Sequence, residues 1–305
     1  MSASKTLRSL CLAATMALLL LAVLASAALA ASPVYECIPN KAGAVVVAGS
    51  ESGECKSSSV TTYTPVALPA SAEEQHQLLA ILPYLKYVAS GVGGKPTIQV
   101  SGANLQILNG EGKTNTNNGA GNVVIGYDEA PGRQEGSHNL MLGGAQSFRS
   151  YGTLIGGYHN TTSAPFSAAL GGQFNEASAE FAVALGGEQN MASGTASTVS
   201  GGQVNASPGE LSSVSGGEQN ASSSLGSSVS GGKGNAASGE DASISGGRFN
   251  KTDGPYASVS GGREAKAEGT ASTVTGGYKN RAEGGYSSVL GGKELTATLE
   301  YEAVL

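Results

Sequence analysis

Chemically reactive side chains are scarce in this sequence. Its 305 residues include three His, three Cys and no Trp, and only 13% of them are charged. A globular enzyme of this length normally carries about twice that charge and more aromatic residues. The net charge of −6 provides no basic patch for nucleic acid or an anionic membrane surface. The composition therefore excludes nucleic-acid binding and argues against an enzyme.

Catalytic and metal-binding patterns are missing as well. His76, His138 and His159 have no companion at ligand spacing, so we expect neither a metal nor another cofactor. The acidic residues of the second half scatter without a recurrent basic partner, and no nucleophile motif begins a Ser-His-Asp set. Gly231–Gly234 comes nearest to a calcium-binding repeat but lacks its Asp and its nine-residue period.

The first 30 residues predict a secretory signal. Lys5 and Arg8 precede an apolar run over 10–30, and small residues place the cleavage site between Ala30 and Ala31. An uncleaved membrane anchor is the alternative, because the run is long enough to span a bilayer. Cleavage removes two positive charges, which leaves a secreted or cell-surface chain of net charge −8 with no further transmembrane segment.

Residues 31–71 predict a small module and a linker. Cys37 and Cys55 are the two cysteines left after cleavage, and in an exported chain they most simply form one disulfide. A reactive free pair is the alternative. The bridge would stabilise the module by roughly 3 kcal/mol for a loop of this size. Residues 60–71, with Pro and Thr, predict the linker.

A helix is predicted over 72–90. Ser71 and Glu74 form a capping-box pattern, and Leu78, Ile81, Leu85 and Val88 have the spacing of a short coiled coil. A helix packed against its own chain fits the pattern equally well, and Pro83 should kink or divide it. Residues 91–121 predict a connector with a strand over 97–108, followed by a loop rich in Gly and Asn.

The dominant signal is a 15-residue repeat over 122–305. Glycine pairs recur at this period from Gly156 to Gly291, and degenerate turns at Gly126 and Gly143 bring the total to about twelve. Fifteen residues accommodate two short strands and two turns but no helix. We therefore predict an all-β fold, a parallel β-roll or β-solenoid about 55 Å long at roughly 4.8 Å per coil. Stacked coils bury the apolar residue that stands two positions before each pair.

Three further phases of the repeat carry side chains of interest. A glycine eight positions after the first Gly, as in Gly194, Gly209 and Gly239, is predicted to turn a corner with positive φ. Aromatic residues share another phase and indicate either an outer contact stripe or packing between chains: Phe166, Phe181, Tyr256, Tyr286 and Tyr301. Asparagine recurs four positions after the first Gly and predicts a structural ladder of stacked amides, with a ligand-binding row as the alternative: Asn160, Asn175, Asn190, Asn205, Asn220, Asn235, Asn250 and Asn280.

The repeat phrase Ser-x-Val-Ser-Gly-Gly-x-x-Asn-x-Ala-x-Gly-x-x-Ser, seen with departures in Ser197–Ser212, resembles the head repeats of trimeric autotransporter adhesins of the YadA type. The resemblance covers about residues 122–305. It implies a left-handed parallel β-roll, a homotrimer and attachment to a surface. The family's usual repeat is one residue shorter, and no stalk or membrane barrel follows Leu305, so the membrane anchoring is not carried over.

These observations predict an extracellular structural or adhesion protein that is not an enzyme. The expected partners are two further copies of the chain and a host or environmental surface, such as a matrix protein or a glycan. The alternative is a ligand- or surface-binding solenoid without an adhesin role, for example one that binds ice or glycans. An ice-binding face needs a regular hydroxyl rank, and Ala182, Ala242 and Ala257 interrupt the one formed by Ser197, Ser212, Ser227, Ser272 and Ser287.

Overall fold

The computed structural model describes residues 34–39, 48–49, 60–66, 72–127 and 129–305. The signal segment with Ala30 and Ala31 lies outside these residues, as does Cys55. The chain forms two compact units that divide between Leu105 and Gln106. No helix within the described residues is long and apolar enough to cross a membrane.

The first unit contains a three-stranded antiparallel sheet: β1 (Val34–Pro39), β2 (Ala48–Gly49) and β3 (Val60–Val66), in the order β2-β1-β3. The prediction of a linker over 60–71 is thus wrong for 60–66, where β-branched residues favour a strand. Pro65 is tolerated because β3 is an edge strand. Cys37 lies in β1, and its disulfide with Cys55 stays a prediction.

The predicted helix over 72–90 is too long. The observed helix α1 (Ala72–Ile81) runs into a short 3-10 helix (Leu82–Tyr84) that contains Pro83. Strand β4 (Leu85–Val88) follows and pairs antiparallel with β5 (Thr97–Val100), with a second 3-10 turn (Val92–Gly94) between them. Proline removes a backbone donor, and the following residues favour a strand, so the coiled-coil seam is split between two elements. The strand predicted over 97–108 ends at Val100.

The second unit is a parallel β-solenoid of about twelve coils, as the period predicts. Each regular coil contributes one two-residue strand to each of two parallel sheets. The 13-stranded sheet comprises β6 (Val123–Ile125), β7 (Leu140–Gly144), β9 (Leu154–Tyr158), β11 (Ala168–Ala169), β13 (Val183–Ala184), β15 (Thr198–Val199), β17 (Ser213–Val214), β19 (Ser228–Val229), β21 (Ser243–Ile244), β23 (Ser258–Val259), β25 (Thr273–Val274), β27 (Ser288–Val289) and β29 (Ala303–Val304).

The 11-stranded sheet lies across the core from it. It comprises β8 (Ser147–Phe148), β10 (Thr161–Thr162), β12 (Glu176–Ala177), β14 (Met191–Ala192), β16 (Ala206–Ser207), β18 (Ala221–Ser222), β20 (Ala236–Ala237), β22 (Lys251–Thr252), β24 (Lys266–Ala267), β26 (Arg281–Ala282) and β28 (Thr296–Ala297). A third line of single parallel bridges runs from Tyr158 to Lys293 at the corner between the sheets.

We number the positions of a coil from 1, the first glycine of each pair, to 15. Position 14 is fully buried, as the sequence predicts, and Val199, Val214 and Ile244 are among its members. Position 7 of the other sheet is buried as well, mostly as Ala, Ser or Thr. The first coils carry larger residues inside, where Met141, Phe148, Ile155 and Ala169 form one cluster. The core is a narrow ladder of small side chains, so stability depends on stacking many coils.

The prediction that the glycine at position 9 turns a corner with positive φ is wrong. Gly194, Gly209 and Gly239 do not have positive φ, and the left-handed residue at this corner is the non-glycine two positions later. A Cβ on Gly239 would instead lie 2.6 Å from the carbonyl carbon of Gly254 in the next coil. Glycine is favoured in these coils because the backbones of successive coils approach closely, whereas Ala164, Ala179, Ser224 and Leu299 occupy the same position in other coils. Spacing along the chain does not show a contact between coils.

We expect Gly239→Ala to destabilise the solenoid by about 2 kcal/mol, because the added methyl group forces neighbouring coils apart. Gly285→Ala is the matched control, since a Cβ there has its nearest neighbour at 3.8 Å and no positive φ. Urea unfolding of both variants measures the difference. Equal stabilities would contradict the close approach of the coils at position 9.

Candidate functional site

The eight asparagines of the predicted ladder lie in one buried row at position 5, each no more than 1% exposed. Their side chains do not bond to one another. The Asn175 Oδ1 accepts from the backbone N–H of Asn190 at 3.0 Å, and its Nδ2 donates to the carbonyl oxygens of Gly171 at 2.9 Å and Gly187 at 3.0 Å. The asparagine side chains therefore satisfy backbone N–H and C=O groups at the glycine corner.

The asparagine row is interrupted in two coils and is extended before Asn160. The spacing of the glycine pairs does not reveal the extension. Ala265 and Leu295 occupy position 5 without an amide side chain. Each still donates its backbone N–H to the Oδ1 of the asparagine in the preceding coil. Before Asn160, Gln146 is fully buried, and its Oε1 accepts from the Asn160 N–H at 2.8 Å. Gln146 stands 14 residues before Asn160, so a longer amide side chain replaces asparagine where the spacing is one residue short.

A second amide row lies at position 12 of the first coils. Asn122 Oδ1 accepts from the N–H of Asn139 at 2.9 Å, and Asn139 Oδ1 accepts from the N–H of Thr153 at 2.7 Å. These residues precede the regular repeat, and their 17- and 14-residue spacings concealed them from the periodic pattern. The asparagines of the first row and Asn139 of the second are buried within the chain, which favours the structural interpretation of the asparagines.

The serine rank considered for ice binding lies inside the molecule. Ser197, Ser212, Ser227, Ser272 and Ser287 are at most 1% exposed, so they cannot form a surface. Two of them bond across the core, Ser212 Oγ with Ser207 Oγ at 2.7 Å and Ser227 Oγ with Ser222 Oγ at 2.9 Å. The hydroxyls that lie outside the core belong to positions 13 and 15, one and three residues after each of these serines.

The outer face of the 13-stranded sheet, which we call the neutral face, consists of positions 13, 15 and 1 and has no charged residue in any coil. Six successive coils present Ser or Thr at both outward positions: Thr198 and Ser200, Ser213 and Ser215, Ser228 and Ser230, Ser243 and Ser245, Ser258 and Ser260, and Thr273 and Thr275. Aliphatic side chains flank this hydroxyl stretch and are about half exposed: Ile125, Leu142, Leu154, Leu170, Leu185 and Leu290.

From Gly186 to Gly291, the first glycine of each pair is not explained by contacts within the chain. None of these eight residues has positive φ, and an added Cβ would meet nothing within 4 Å. At Gly156, by contrast, a Cβ would lie 2.8 Å from the Leu170 carbonyl oxygen. The second glycine is different, since Gly172 to Gly292 all have positive φ. Glycine within a strand often marks a bend or a place where another backbone approaches closely.

Aromatic side chains occupy exposed corners in a costly conformation. The five predicted stripe residues at position 11 all have positive φ, and rings stack in the pairs Phe166–Phe181 at 5.7 Å and Tyr286–Tyr301 at 5.2 Å. All five are between 45% and 71% exposed. Bulky residues rarely adopt this conformation, and it persists only where the surrounding structure holds it.

Positive charge is concentrated in the C-terminal coils of the solenoid, although Arg133 and Arg149 lie in its first coils. The sequence between Arg149 and Lys233 has no Lys or Arg, whereas eight follow between 233 and 293. Ion pairs join successive coils there, as between Arg281 Nη2 and Glu268 Oε2 at 2.9 Å. The hydrogen bond between Arg281 and Glu268, together with the negative charge of the Glu268 carboxylate, raises the pKa of Arg281. Over the described residues, no three His, Cys, Asp or Glu side chains are grouped to hold a metal ion.

No known protein-family model matches this chain, and no curated protein matches it with significant similarity. The solenoid is shown by the structure alone.

We expect Asn235→Ala to destabilise the solenoid by about 2 to 3 kcal/mol, since it removes the partner of the Gly231 carbonyl in its own coil and of the Gly247 carbonyl and Asn250 N–H in the next coil. Ala265→Asn is the reciprocal variant. It restores the missing rung and should stabilise the chain by about 1 kcal/mol. Thermal and urea unfolding measure both. If Ala265→Asn destabilises the chain as much as Asn235→Ala, hydrogen bonding does not explain the asparagine row.

Proposed function

We propose that this chain is an extracellular structural and adhesion protein, without enzymatic activity, that attaches to surfaces as a homotrimer. The carrying observation is the neutral face, a regular surface along the whole solenoid without a single charge. Protein interfaces are depleted of charged residues in their core, and exposed aliphatic patches on a soluble protein mark interaction sites. The resemblance of the repeat to trimeric adhesin heads agrees with this proposal.

The neutral face has the area of a small protein interface. Thirteen strands at roughly 4.8 Å extend about 60 Å, and positions 13 to 1 are about 10 Å wide, which gives a footprint of roughly 600 Å². A standard interface buries about 800 Å² on each partner, so side chains beside this face would have to join the contact to reach that size. The glycines at position 1 permit neighbouring copies to approach the backbone. Aliphatic rows at both ends of the face supply apolar area.

Sedimentation equilibrium of residues 31–305 tests the assembly. We expect three times the monomer mass, and a monomer would overturn the homotrimer. The double variant Ser230→Lys and Ser260→Lys places charges on the neutral face and should dissociate the trimer, because buried unpaired charges are costly. Ser223→Lys and Ser238→Lys form the matched control, as they lie exposed on the other sheet of neighbouring coils. If the first pair leaves the trimer intact, the interface lies elsewhere.

Attachment is tested separately with beads that carry the mature chain. We expect them to adhere to surfaces coated with collagen, fibronectin or glycans and not to albumin. Retention on none of the coatings would contradict the adhesion proposal, whatever the oligomeric state.

A second candidate function uses the same face. The twelve hydroxyls at positions 13 and 15 form two uninterrupted rows over six coils on a flat, uncharged surface. A regular array of this kind fits the repeating oxygen lattice of ice. Because a homotrimer would bury this face, the two candidates exclude each other.

Thermal hysteresis decides between them. An ice-binding monomer should depress the freezing point below the melting point, and Ser230→Lys with Ser260→Lys should abolish this effect while Ser223→Lys with Ser238→Lys retains it. A trimer without hysteresis would exclude the ice-binding candidate.

A further inference from the structure

A shallow groove crosses three coils at the corner between the two sheets. Its volume is about 460 Å³. Phe174 and Val204 at position 4 border it, Met191 at position 6 contributes to its floor, and Glu176 and Gln189 supply polar groups. This corner groove is distinct from the neutral face, since it is built from positions 4 to 6.

Phe174, Gln189 and Val204 share position 4 of successive coils and have φ of +56°, +55° and +56°. This conformation is costly for aromatic and β-branched residues, and glycine, which adopts it freely, occupies the same position as Gly234. Every regular coil has positive φ at position 4, so the fold of the coil imposes the conformation. It leaves the side chains of Phe174 and Val204 48% and 43% exposed, where they are accessible to a ligand.

The aromatic border of the groove is rigid. The ring of Phe174 stacks on that of His159 with centroids 5.3 Å apart, and Tyr158 packs edge-on against His159 at 4.4 Å. One face of Phe174 is thereby covered, and its other side borders the groove. An aromatic ring fixed in this manner provides a flat apolar contact at little entropic cost.

The charged and polar side chains around the groove indicate the chemical class of its ligand. No Lys or Arg occurs between residues 149 and 233, so the groove contains no cation to bind sulfate, phosphate or carboxylate groups. Gln189 provides a donor and an acceptor, and Glu176 provides acceptors. Planar amide and carboxylate groups match vicinal hydroxyls, and an aromatic ring matches the C–H face of a sugar. An elongated open groove accommodates a linear chain better than a small cation.

We propose that the corner groove binds a neutral oligosaccharide, with Phe174 as the stacking platform and Gln189 and Glu176 as the hydroxyl-binding groups. This inference rests on the proposed attachment function and names a ligand class for it. Successive coils on either side would extend contact along a polysaccharide chain. The next positive charge after the groove is Lys233, so the groove and the C-terminal coils present different chemistry.

Isothermal titration of the full mature chain with defined probes tests the proposal. The neutral probes are cellohexaose, maltohexaose, xylohexaose and chitohexaose, and the comparison probes are a heparin hexasaccharide and choline. We expect at least one neutral probe to bind. No binding of any neutral probe up to about 10 mM, which is weaker than ordinary weak recognition, would overturn the proposal. Preferential binding of choline would overturn it as well.

Phe174→Gly removes the platform without harming the fold, because glycine adopts the local conformation freely. It should weaken binding about three- to tenfold, the loss expected from one stacking contact. Phe249→Gly is the matched control, since Phe249 has the same position and φ but lies beside Arg248. Gln189→Ala should weaken binding while leaving the melting temperature unchanged.

Unchanged binding in Phe174→Gly, or equal losses in Phe174→Gly and Phe249→Gly, would show that the corner groove is not the site. Beads that adhere to collagen while no neutral sugar binds would overturn this inference and leave the attachment function in place. Binding of a neutral sugar without any bead adhesion would support the groove and contradict attachment.

Discussion

Hydrogen bonding between successive coils is the constraint on which the rest of the structure depends. Regular strands of only two residues cannot by themselves satisfy the backbone of a 15-residue coil. The buried asparagines satisfy the donors and acceptors at the glycine corner, and each one joins its own coil to the next. These bonds require close and regular stacking, which in turn requires glycine at position 2, favours it at position 9 and requires small side chains in the core.

Side chains large enough to recognise a partner are consequently excluded from most of the interior and stand on the corners and outer faces. The neutral face and the corner groove differ in kind. The neutral face is flat, lacks charge and runs the length of the solenoid, as suits contact with copies of the chain. The groove is local, aromatic and bordered by strained residues such as Val204, as suits a ligand. The two surfaces can be occupied at the same time because they use different positions of the coil.

Several predictions from the sequence held because they depended on the period alone. The number of coils, the parallel β-solenoid and the buried position 14 follow from residues repeated every 15. Other predictions failed where position along the chain does not reveal a neighbour. Gly209 is required by the next coil and not by its own φ, and Ser197 is buried although its phase suggested a surface. Gln146 was missed because its coil is one residue shorter.

By itself, the sequence determined that this protein is a stack of short coils, since a strict period leaves the chain one way to bury its apolar residues. Only the tertiary structure decided which hydroxyls face outward, which glycines are left unexplained and where Phe174, Gln189 and Val204 meet. Residues 15 positions apart become neighbours only when coils stack, and alternation in two-residue strands is too short to predict a face.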